Sequence, residues 1–599
     1  MEPIVHGITV DYSRDSLFDE LGLRRLRESY MKDDETSPQE RFAYVSSQFG
    51  SNAEHAQRLY NYSSCHWLSF STPILSFGRS KRGLPISCFL PYLDDSAEGL
   101  VNTLSEVNWL SMLGGGVGIG LGIRSADDKS VGIMPHLRTY DASSLAYRQG
   151  RTRRGSYAAY LEISHPDIML FLEMRKPTGD PNMRCLNLHH GINITDDFMQ
   201  IIERCMLDKT ADDSWQLKDP HSGEVKDTVS ARELWQRILE MRMMTGEPYI
   251  HFIDTSNRSM PEFQRKLGLS IKQSNLCSEI ILPTDKDRTA VCCLSSLNLE
   301  YYDEWKNDAL FLQDVAEMLD NVLQYFIDHA PDSISRAKFS AQRERSIGVG
   351  ALGWHAYLQR NSIAWESAVA VGVNNRIFRH IKEGLDRANT ELGRIRGEAP
   401  DAAGTGKRFS HVMAIAPNAS SSILMGNTSP SIEPLRANAY RQDTLSGASL
   451  NKNRYLDKII KDKCNADSKL DYNEIWSSII ANDGSVQHLA DVLDDWTREV
   501  FKTSMEIDQR WLVQHAADRQ PYIDQAQSLN LFFRPDANIK YIHAVHFQAW
   551  KSGLKTLYYC RSEKIGKADK VSKKIERQVI QEIDLKALAE GNECLACEG

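Results

Sequence analysis

The stretch QSNLCSEI, Gln273 to Ile280, holds three side chains that could take part in catalysis, at alternate positions: Asn275, Cys277 and Glu279. In an extended segment these side chains point to one side, because the side-chain period of a strand is two residues. A carboxylate raises the pKa of a neighbouring thiol, so the group suits a thiolate nucleophile poorly. It suits a neutral thiol or a sulfur radical, with Glu279 as a base for a substrate hydroxyl. A buried structural cysteine is the plainer alternative.

Further cysteines stand in apolar, strand-like stretches. Cys88 ends PISC, and Cys292 and Cys293 are adjacent in AVCCLSSLNL. Neighbouring residues of a strand face opposite sides, so one of Cys292 and Cys293 can share a cavity with Cys277 while the other cannot. Unrelated core cysteines remain an alternative on spacing alone.

Two motifs near the C-terminus could carry out redox chemistry. Tyr558 and Tyr559 are adjacent in LKTLYYCRSE, and are either two packed aromatic residues or a route for an electron. Cys594 and Cys597 form a CxxC pair near the end of the chain. Zinc sites usually need a second such pair, which the sequence lacks, so the spacing favours thiol–disulfide exchange over metal binding.

Small residues cluster in two further stretches. Residues 414–427, AIAPNASSSILMGN, predict a strand, a proline turn and a small polar loop that opens a helix. Such a helix start can bind an anion or can be an ordinary N-cap. The run Gly114–Gly122 lacks the strand–turn–helix setting of a dinucleotide fingerprint, which favours close backbone packing or the approach of a substrate. Asp95 with Glu98 is most simply a helix capping box.

Composition limits the class of protein that carries these motifs. The chain has 599 residues, 41% of them hydrophobic and 25% charged, which is typical of a globular protein. Its net charge of −9 argues against binding along a nucleic acid polymer. No apolar run is long enough for a membrane helix, and the N-terminus has no signal-peptide pattern. Eleven cysteines in a chain of this length form no secreted disulfide framework, so we expect a reducing, cytoplasmic location.

An alternation of short apolar runs and helical patterns begins at Trp67 and continues to about residue 560. It predicts an α/β fold with a largely parallel sheet. The predicted strands are ILSFG, PISCFL, VGIGLGI, GINIT, YIHFID, AVCCLSSL, IGVGALG and HVMAIAP, and the predicted helices include ARELWQRILEMRMM, LQDVAEMLDNVLQYFIDH and NRIFRHIKEGLDRANTEL. We predict a helical segment over residues 1–66, a catalytic domain over 67–563 with a polar helical excursion at 445–495, and a mobile tail over 564–599.

In their order along one chain, these motifs resemble the large, catalytic subunit of class I ribonucleotide reductases. NLCSE, LKTLYYCRSE and the terminal CxxC carry the resemblance, and STPILSFG with PISC, VCCLSSLNL, RSIGVGALGWHAYL and APNASSSI support it. The resemblance implies a ten-stranded α/β barrel of two five-stranded parallel halves. It also implies a radical cysteine on a finger loop inside the barrel and a helical segment before it.

The resemblance implies a role for each residue of the central group. Cys277 is similar to the residue whose thiyl radical abstracts the ribose 3′-hydrogen. Glu279 would take the 3′-hydroxyl proton and Asn275 would orient the substrate. Cys88 and Cys292 are similar to the pair that reduces the 2′-carbon and ends as a disulfide.

Partners follow from the same resemblance. Tyr558 and Tyr559 would relay a radical from a separate small, metal-containing subunit, so we expect this chain to bind no metal or cofactor of its own. Cys594 and Cys597 would reduce the active-site disulfide and would themselves be reduced by thioredoxin or glutaredoxin. A homodimer is expected, with dNTP or ATP effectors at its interface.

The resemblance also implies nucleotide sites, with ribonucleoside diphosphates as substrates. Ser87 and Gly116 would line the substrate pocket, and Asp95, Ser96 and Arg124 would lie at the effector site. In the diphosphate site, Asn418-Ala419 stands where some relatives have hydroxyl and acidic residues. The residues expected there are Thr72, Pro417, Asn418, Ala419, Ser420 and Ser421.

Only 71 residues precede Thr72, so we expect no ATP-cone domain and no overall activity control through one. A compact form like this is similar to bacteriophage enzymes and favours a viral source, for which the expected cytoplasm is that of the host. Two alternatives remain: a class II reductase that uses adenosylcobalamin, and a catalytically silent nucleotide-binding paralogue. The tyrosine pair argues against the first, and the complete set of cysteines argues against the second.

Overall fold

The structure is a computed structural model that describes residues 3–80, 83–147, 155–444 and 447–562, with no side chains described for 441–449. The predicted tail at 564–599, with Cys594 and Cys597, lies outside the described residues. No described helix combines the length and apolar character that crossing a membrane requires.

The strands are β1 (Ile4–Val5), β2 (Ile8–Thr9), β3 (Leu68–Phe70), β4 (Cys88–Leu90), β5 (Tyr92–Leu93), β6 (Gly116–Leu121), β7 (Tyr157–Glu162), β8 (Leu188–Ile194), β9 (Ser214–Lys218), β10 (Val225–Ser230), β11 (Tyr249–Phe252), β12 (Ala290–Asn298), β13 (Ile347–Leu352), β14 (Ala439–Thr444), β15 (Gly447–Lys452), β16 (Leu531–Phe533), β17 (Thr556–Leu557) and β18 (Cys560–Ser562).

The α-helices are α1 (Glu20–Ser29), α2 (Pro38–Phe49), α3 (Ala53–Ser64), α4 (Thr72–Leu75), α5 (Ala97–Met112), α6 (Ile133–Ala146), α7 (Ile168–Glu173), α8 (Asp196–Leu207), α9 (Ala231–Thr245), α10 (Ile253–Ser259), α11 (Glu262–Lys266), α12 (Tyr302–Trp305), α13 (Phe311–His329), α14 (Ser335–Glu344), α15 (Trp354–Arg360), α16 (Ala368–Arg396), α17 (Ala419–Leu424), α18 (Arg454–Ala466), α19 (Tyr472–Ala481), α20 (Asp495–Val500), α21 (Gln509–Arg519) and α22 (Ile539–Lys551).

The main sheet has ten strands, with the order β13-β12-β4-β6-β7-β8-β11-β17 and with β3 and β5 paired beside this path. Strands β4, β6, β7, β8 and β11 are parallel to one another, as βαβ connections require. Strand β12 runs antiparallel to β4, and β17 runs antiparallel to β11. The sheet therefore consists of two parallel sets that meet at two antiparallel seams.

Two extended segments, 412–416 and 525–529, close this sheet into a ring between β13 and β17. They join the neighbouring strands through the parallel bridges Val349–Met413 and Ile415–Gln527. The closing backbone hydrogen bonds are Val349 N to Val412 O (2.8 Å), Ile415 N to Ala526 O (3.1 Å) and Tyr558 N to Leu529 O (2.9 Å). The predicted α/β barrel is thereby confirmed.

Side-chain alternation along the strands separates two apolar clusters. A cluster in the barrel interior contains Cys88, Cys277, Cys292 and Tyr558. A larger cluster, which contains Cys293, packs the outer face of the sheet against the helices. The two adjacent cysteines of β12 thus belong to different layers, as the strand period requires.

Three local predictions differ from the structure. ILSFG was predicted as a strand, but it overlaps α4 and a turn, because Pro73 pre-sets the first helical turn. HVMAIAP joins the barrel only through isolated bridges, because its backbone pairs irregularly with both neighbours. The polar region begins with the antiparallel hairpin β14–β15, and its predicted helices α18 and α19 follow.

A loop that enters the barrel explains part of the glycine-rich run. The loop is closed at its base by the bridge between Ile271 and Pro283. A Cβ on Gly118 would lie 2.4 Å from the backbone oxygen of Ser274, and one on Gly120 would lie 2.6 Å from Gln273 Oε1. Strand β6 can approach this finger loop only because these positions lack side chains.

We therefore expect Gly118→Ala to destabilise the protein by about 1–3 kcal/mol, the usual cost of overpacking a well-packed interior. The backbone of Ser274 must shift to admit the methyl group, so activity should fall as well. Gly372 in α16 has no atom within 4 Å of its virtual Cβ, and Gly372→Ala should leave stability unchanged or raised. Equal melting temperatures for the two variants would contradict this packing argument.

Candidate active site

The finger loop carries Cys277 into the barrel interior, where its side chain is fully buried. Leu276 and Cys277 form a turn, and Ser278 has φ of +67°. The loop is therefore not the extended segment that would align alternate side chains, and the turn brings those side chains together instead. Tyr160 anchors the turn, because its hydroxyl donates to Asn275 O at 2.6 Å.

Asn275 and Glu279 converge on the cysteine of β4. Asn275 Nδ2 lies 3.3 Å from Cys88 Sγ, and Glu279 Oε1 lies 3.9 Å from the same sulfur. The hydroxyl of Ser528 donates to Glu279 Oε2 at 3.1 Å and to the backbone oxygen of Cys277. The amide and the carboxylate thus both approach the buried Cys88 thiol, and Cys277 lies in the same interior cluster.

Cys88 and Cys292 are directly opposite each other in the antiparallel pair of β4 and β12. Opposed residues of such a pair have Cα atoms about 4.5–5.5 Å apart, which lies within the range that a disulfide spans. Both are free thiols in this structure. Burial raises the pKa of the Cys292 thiol well above its ordinary value. The two sulfurs can therefore form a disulfide without rearrangement of the strands.

Gln525 is a residue of this site that sequence reasoning missed. Its Nε2 lies 3.4 Å from Cys292 Sγ, and its Oε1 accepts from Ile281 N at 3.3 Å. The side chain therefore joins one cysteine of the pair to the end of the finger loop. Nothing in DQAQSLN separates this glutamine from any other by sequence alone.

The tyrosine pair reaches the finger loop directly. The Tyr558 hydroxyl lies 3.6 Å from Cys277 Sγ. The Tyr558 and Tyr559 ring centroids are 4.3 Å apart. Tyr249 of β11 packs on both rings, at 4.8 Å from Tyr558 and 5.1 Å from Tyr559. Sequence reasoning missed Tyr249, which it saw only as part of a strand.

A buried charged network lies behind Tyr559. The Tyr559 hydroxyl is 3.5 Å from His189 Nδ1, and that nitrogen is 2.6 Å from Glu247 Oε1. Burial by itself would raise the pKa of Glu247, but Arg175 and His189 hold it well below its usual range. Burial and the Glu247 charge raise the pKa of Tyr559, so this phenol is neutral at physiological pH.

The predicted anion loop and Thr72 flank the same end of β12. Ser296 of β12 pairs with Ser69 of β3, three residues before Thr72. The Ser296 hydroxyl also donates to Asn418 Oδ1 at 3.1 Å. Asn418 precedes α17 with φ of +54° and makes no side-chain cap. Pro417, Ala419, Ser420 and Ser421 follow the barrel segment that contributes Ala414 and Ala416 to the interior cluster.

Ser87 and Gly116 lie beside the cysteine of β4. Gly116 is the register partner of Cys88, and its N–H donates to Ser87 O at 2.8 Å. The structure thus brings these two predicted pocket residues to the edge of the buried thiol pair.

The predicted effector residues form a separate polar group. Asp95 Oδ2 lies 3.4 Å from Arg124 Nε and 3.2 Å from His221 Nε2. The capping-box prediction for Asp95 is wrong: Ser96 is the N-cap of α5, and its hydroxyl accepts from Gly99 N at 3.0 Å. The Asp95 carboxylate is instead directed to the arginine and the histidine.

One group of potential metal ligands lies away from this site. His55, Asp314 and Glu317 have ligand atoms within 4.8 Å of one another. Arg58 donates two hydrogen bonds to Asp314, at 2.7 and 2.9 Å, and Arg396 donates to Glu317 at 2.7 Å. The carboxylates are thus already compensated, and the group is best described as an ion-pair network.

Comparisons with known proteins match the whole of this architecture. A family model described as "Ribonucleotide reductase, barrel domain" matches residues 86–403 and 399–560, and one described as "Ribonucleotide reductase, all-alpha domain" matches residues 16–83. Among solved structures, the Actinobacillus ureae class Id ribonucleotide reductase alpha subunit has a TM-score of 0.80 and 34% identity. The match covers 92% of this chain and 98% of that chain.

Curated relatives include viral and cellular proteins. The ribonucleoside-diphosphate reductase large subunit of Invertebrate iridescent virus 3 is 54% identical over 99% of this chain and 100% of that protein. That of Invertebrate iridescent virus 6 is 39% identical over 94% of each. That of Caenorhabditis elegans is 31% identical over 98% of this chain and 82% of that protein. These two viral relatives come from viruses of invertebrates rather than from bacteriophages.

Proposed function

The chain belongs to the family of class I ribonucleotide reductase large subunits, and from this premise we propose that it reduces ribonucleoside diphosphates by radical chemistry at Cys277. The observation that carries this assignment is the 3.6 Å distance between the Tyr558 hydroxyl and Cys277 Sγ. It joins a buried tyrosine pair to a thiol that shares its cluster with Cys88 and Cys292.

The reaction begins at the finger loop. A thiyl radical on Cys277 abstracts the 3′-hydrogen of the ribose, and Glu279 accepts the proton of the 3′-hydroxyl. The 2′-hydroxyl then takes a proton from the Cys88–Cys292 thiol pair and leaves as water, because a radical at the neighbouring carbon makes this poor leaving group labile. The amide of Asn275, beside Cys88, orients the sugar through hydrogen bonds.

Cys88 and Cys292 supply the two electrons and two protons that replace the 2′-hydroxyl by hydrogen, and they end as a disulfide. Their directly opposed positions on β4 and β12 support this role. The raised pKa of Cys292 keeps it a thiol, which is the form that donates hydrogen. Cys277 finally returns its hydrogen atom to the 3′-carbon and Glu279 returns its proton to the 3′-oxygen, which restores the 3′-hydroxyl and regenerates the thiyl radical.

A metal-containing small subunit supplies the radical, and Tyr559 and Tyr558 relay it to Cys277. Both rings lie in contact, and the buried Tyr559 phenol is neutral. Its oxidation therefore requires the loss of a proton together with an electron. A class II reductase would form its radical beside Cys277 and would need no such relay.

The remaining sites complete the proposal. Thr72 and the loop 417–421 bind the diphosphate, and Ser87 and Gly116 line the pocket. The group around Asp95, with Ser96 and Arg124, binds dNTP or ATP effectors, and the protein acts as a homodimer in the cytoplasm.

Reduction of CDP by the purified chain tests this function. We expect repeated turnover to dCDP only when the cognate small subunit and a dithiol reductant are added, with a rate that dNTPs change. Turnover with adenosylcobalamin alone would support the class II alternative. Binding of CDP and dNTPs without any product, in the presence of an active small subunit, would support a silent paralogue.

Replacing Cys594 and Cys597 by serine tests the redox tail. We expect the double variant to complete a single turnover with the active-site dithiol and then stop when thioredoxin is the reductant. A small-molecule dithiol should restore at least part of the steady-state rate. Cys464→Ser, in a partly exposed position on α18, is the matched control. An unchanged thioredoxin-dependent rate in the double variant would contradict the proposed role.

A further inference from the structure

Helix α1 packs against the short helix that follows the proposed diphosphate loop. A Cβ on Gly22 would lie 3.1 Å from the backbone oxygen of Ile423, so the two helices are in close contact there. One turn further along α1, Arg25 Nη2 donates to Ser420 Oγ at 3.2 Å. The N-terminal helical segment therefore brings a permanent positive charge to this loop.

The charge of Arg25 is not compensated by the described protein. Its Nε atom is buried and has no hydrogen-bond partner, and its guanidinium forms no ion pair with any described residue. The neighbouring Arg24, in contrast, pairs with Glu28 at 2.8 Å on the surface. Arg25 is partly exposed, but its buried Nε–H lacks an acceptor, which is costly, and a bound anion would supply one.

The loop itself has no charge to meet an anion. Residues 417–421 are Pro-Asn-Ala-Ser-Ser, with hydroxyls but no cationic side chain. Thr72, the other hydroxyl residue of the proposed site, is contacted from the same helical segment: the hydroxyl of the buried Tyr30 lies 3.2 Å from Thr72 Oγ1. Arg25 and Tyr30 thus contact the two hydroxyl-bearing parts of the proposed diphosphate site, Ser420 and Thr72.

We propose that Arg25 is a substrate-binding residue that supplies the cationic contact to the diphosphate of the nucleotide. This inference rests on the proposed function. A guanidinium binds phosphate oxygens through charge-assisted, directional hydrogen bonds. The Ser420 hydroxyl, which accepts a hydrogen bond from Arg25, is then positioned to donate to the same phosphate group.

Arg25→Gln in the two-subunit enzyme tests this role, with Arg24→Gln as the matched control. Loss of a hydrogen bond to a charged group predicts a KM for CDP that rises by about 10- to 100-fold, with kcat within about twofold of wild type. Arg25→Lys, which keeps the charge, should recover part of the KM. Arg24→Gln should match wild type in both constants. A merely structural role would lower kcat or the melting temperature without this selective change in KM.

Equal KM values for the Arg25→Gln and Arg24→Gln enzymes would overturn the inference and leave the proposed function intact. If the wild-type enzyme reduces no diphosphate, the proposed function fails, and inorganic pyrophosphate tests Arg25 separately. We expect pyrophosphate to raise the melting temperature of wild type and of Arg24→Gln but not that of Arg25→Gln. The same shift in all three proteins, or no shift in any, would overturn the inference.

Discussion

Replacing Cys277 by alanine is expected to lower CDP reduction by at least about 10⁴-fold, the scale on which the loss of a reacting atom acts. The Cys277 sulfur lies 3.6 Å from the Tyr558 hydroxyl, at the inner end of the proposed relay. The finger loop should keep its shape, because its anchors are backbone groups of Asn275 and Cys277 that bond to Tyr160 and Ser528. Substrate binding should therefore survive while turnover is lost.

Cys293→Ala is the matched control for this experiment. Cys293 is adjacent to Cys292 in sequence and is equally buried, but it belongs to the outer cluster rather than to the barrel interior. We expect a small loss of stability and a retained kcat. A Cys277→Ala enzyme that kept full activity would refute the radical role, and a Cys293→Ala enzyme as inactive as Cys277→Ala would show that the assay reports packing instead.

Tyr558→Phe is expected to have the second large effect, a loss of turnover on the order of 10⁴-fold, because the proposed relay would act as a unit with the thiol. Phenylalanine keeps the ring that packs 4.3 Å from Tyr559 and 4.8 Å from Tyr249. It removes only the hydroxyl that can be oxidised and that faces Cys277. Steady-state turnover with the cognate small subunit measures the effect.

A buried tyrosine elsewhere provides the control. Tyr140 in α6 has a hydroxyl that is buried without a partner, so Tyr140→Phe should leave the rate unchanged and stability unchanged or raised. If Tyr558→Phe retained half of the wild-type rate with an active small subunit, the radical would have to reach Cys277 by another route. Tyr249 would then be the first residue to replace.

The regular elements of the fold were predictable where hydrophobic periodicity is strong. Hydrophobic patterns were long enough to identify the helices α9, α13 and α16. The apolar runs were likewise long enough to identify the strands β8, β12 and β13. Prediction was wrong at ILSFG, where Pro73 overrides the apolar character, and it was incomplete at HVMAIAP. The irregular pairing of that segment depends on its two neighbours in the barrel, which are distant from it in sequence.

The site shows the same division. Cys277, Glu279 and the tyrosine pair stand out by residue type and spacing, and their chemistry follows from the sequence. Gln525 and Tyr249 do not, because an isolated glutamine or a strand tyrosine carries no local signal. The alternation of Asn275 and Glu279 indicated a common direction, but the structure achieves it through a turn.

The sequence by itself determined which chemistry this protein carries, because thiols, carboxylate and phenols are properties of single residues and their order is that of one family. The tertiary structure decided which of them meet. Cys88 and Cys292 face each other only because β12 pairs antiparallel with β4. Tyr558 reaches Cys277 only because the barrel sheet closes near the C-terminus. Arg25 and Ser420 are 395 residues apart in sequence. No local pattern specifies such contacts, since they arise from the packing of elements formed far apart along the chain.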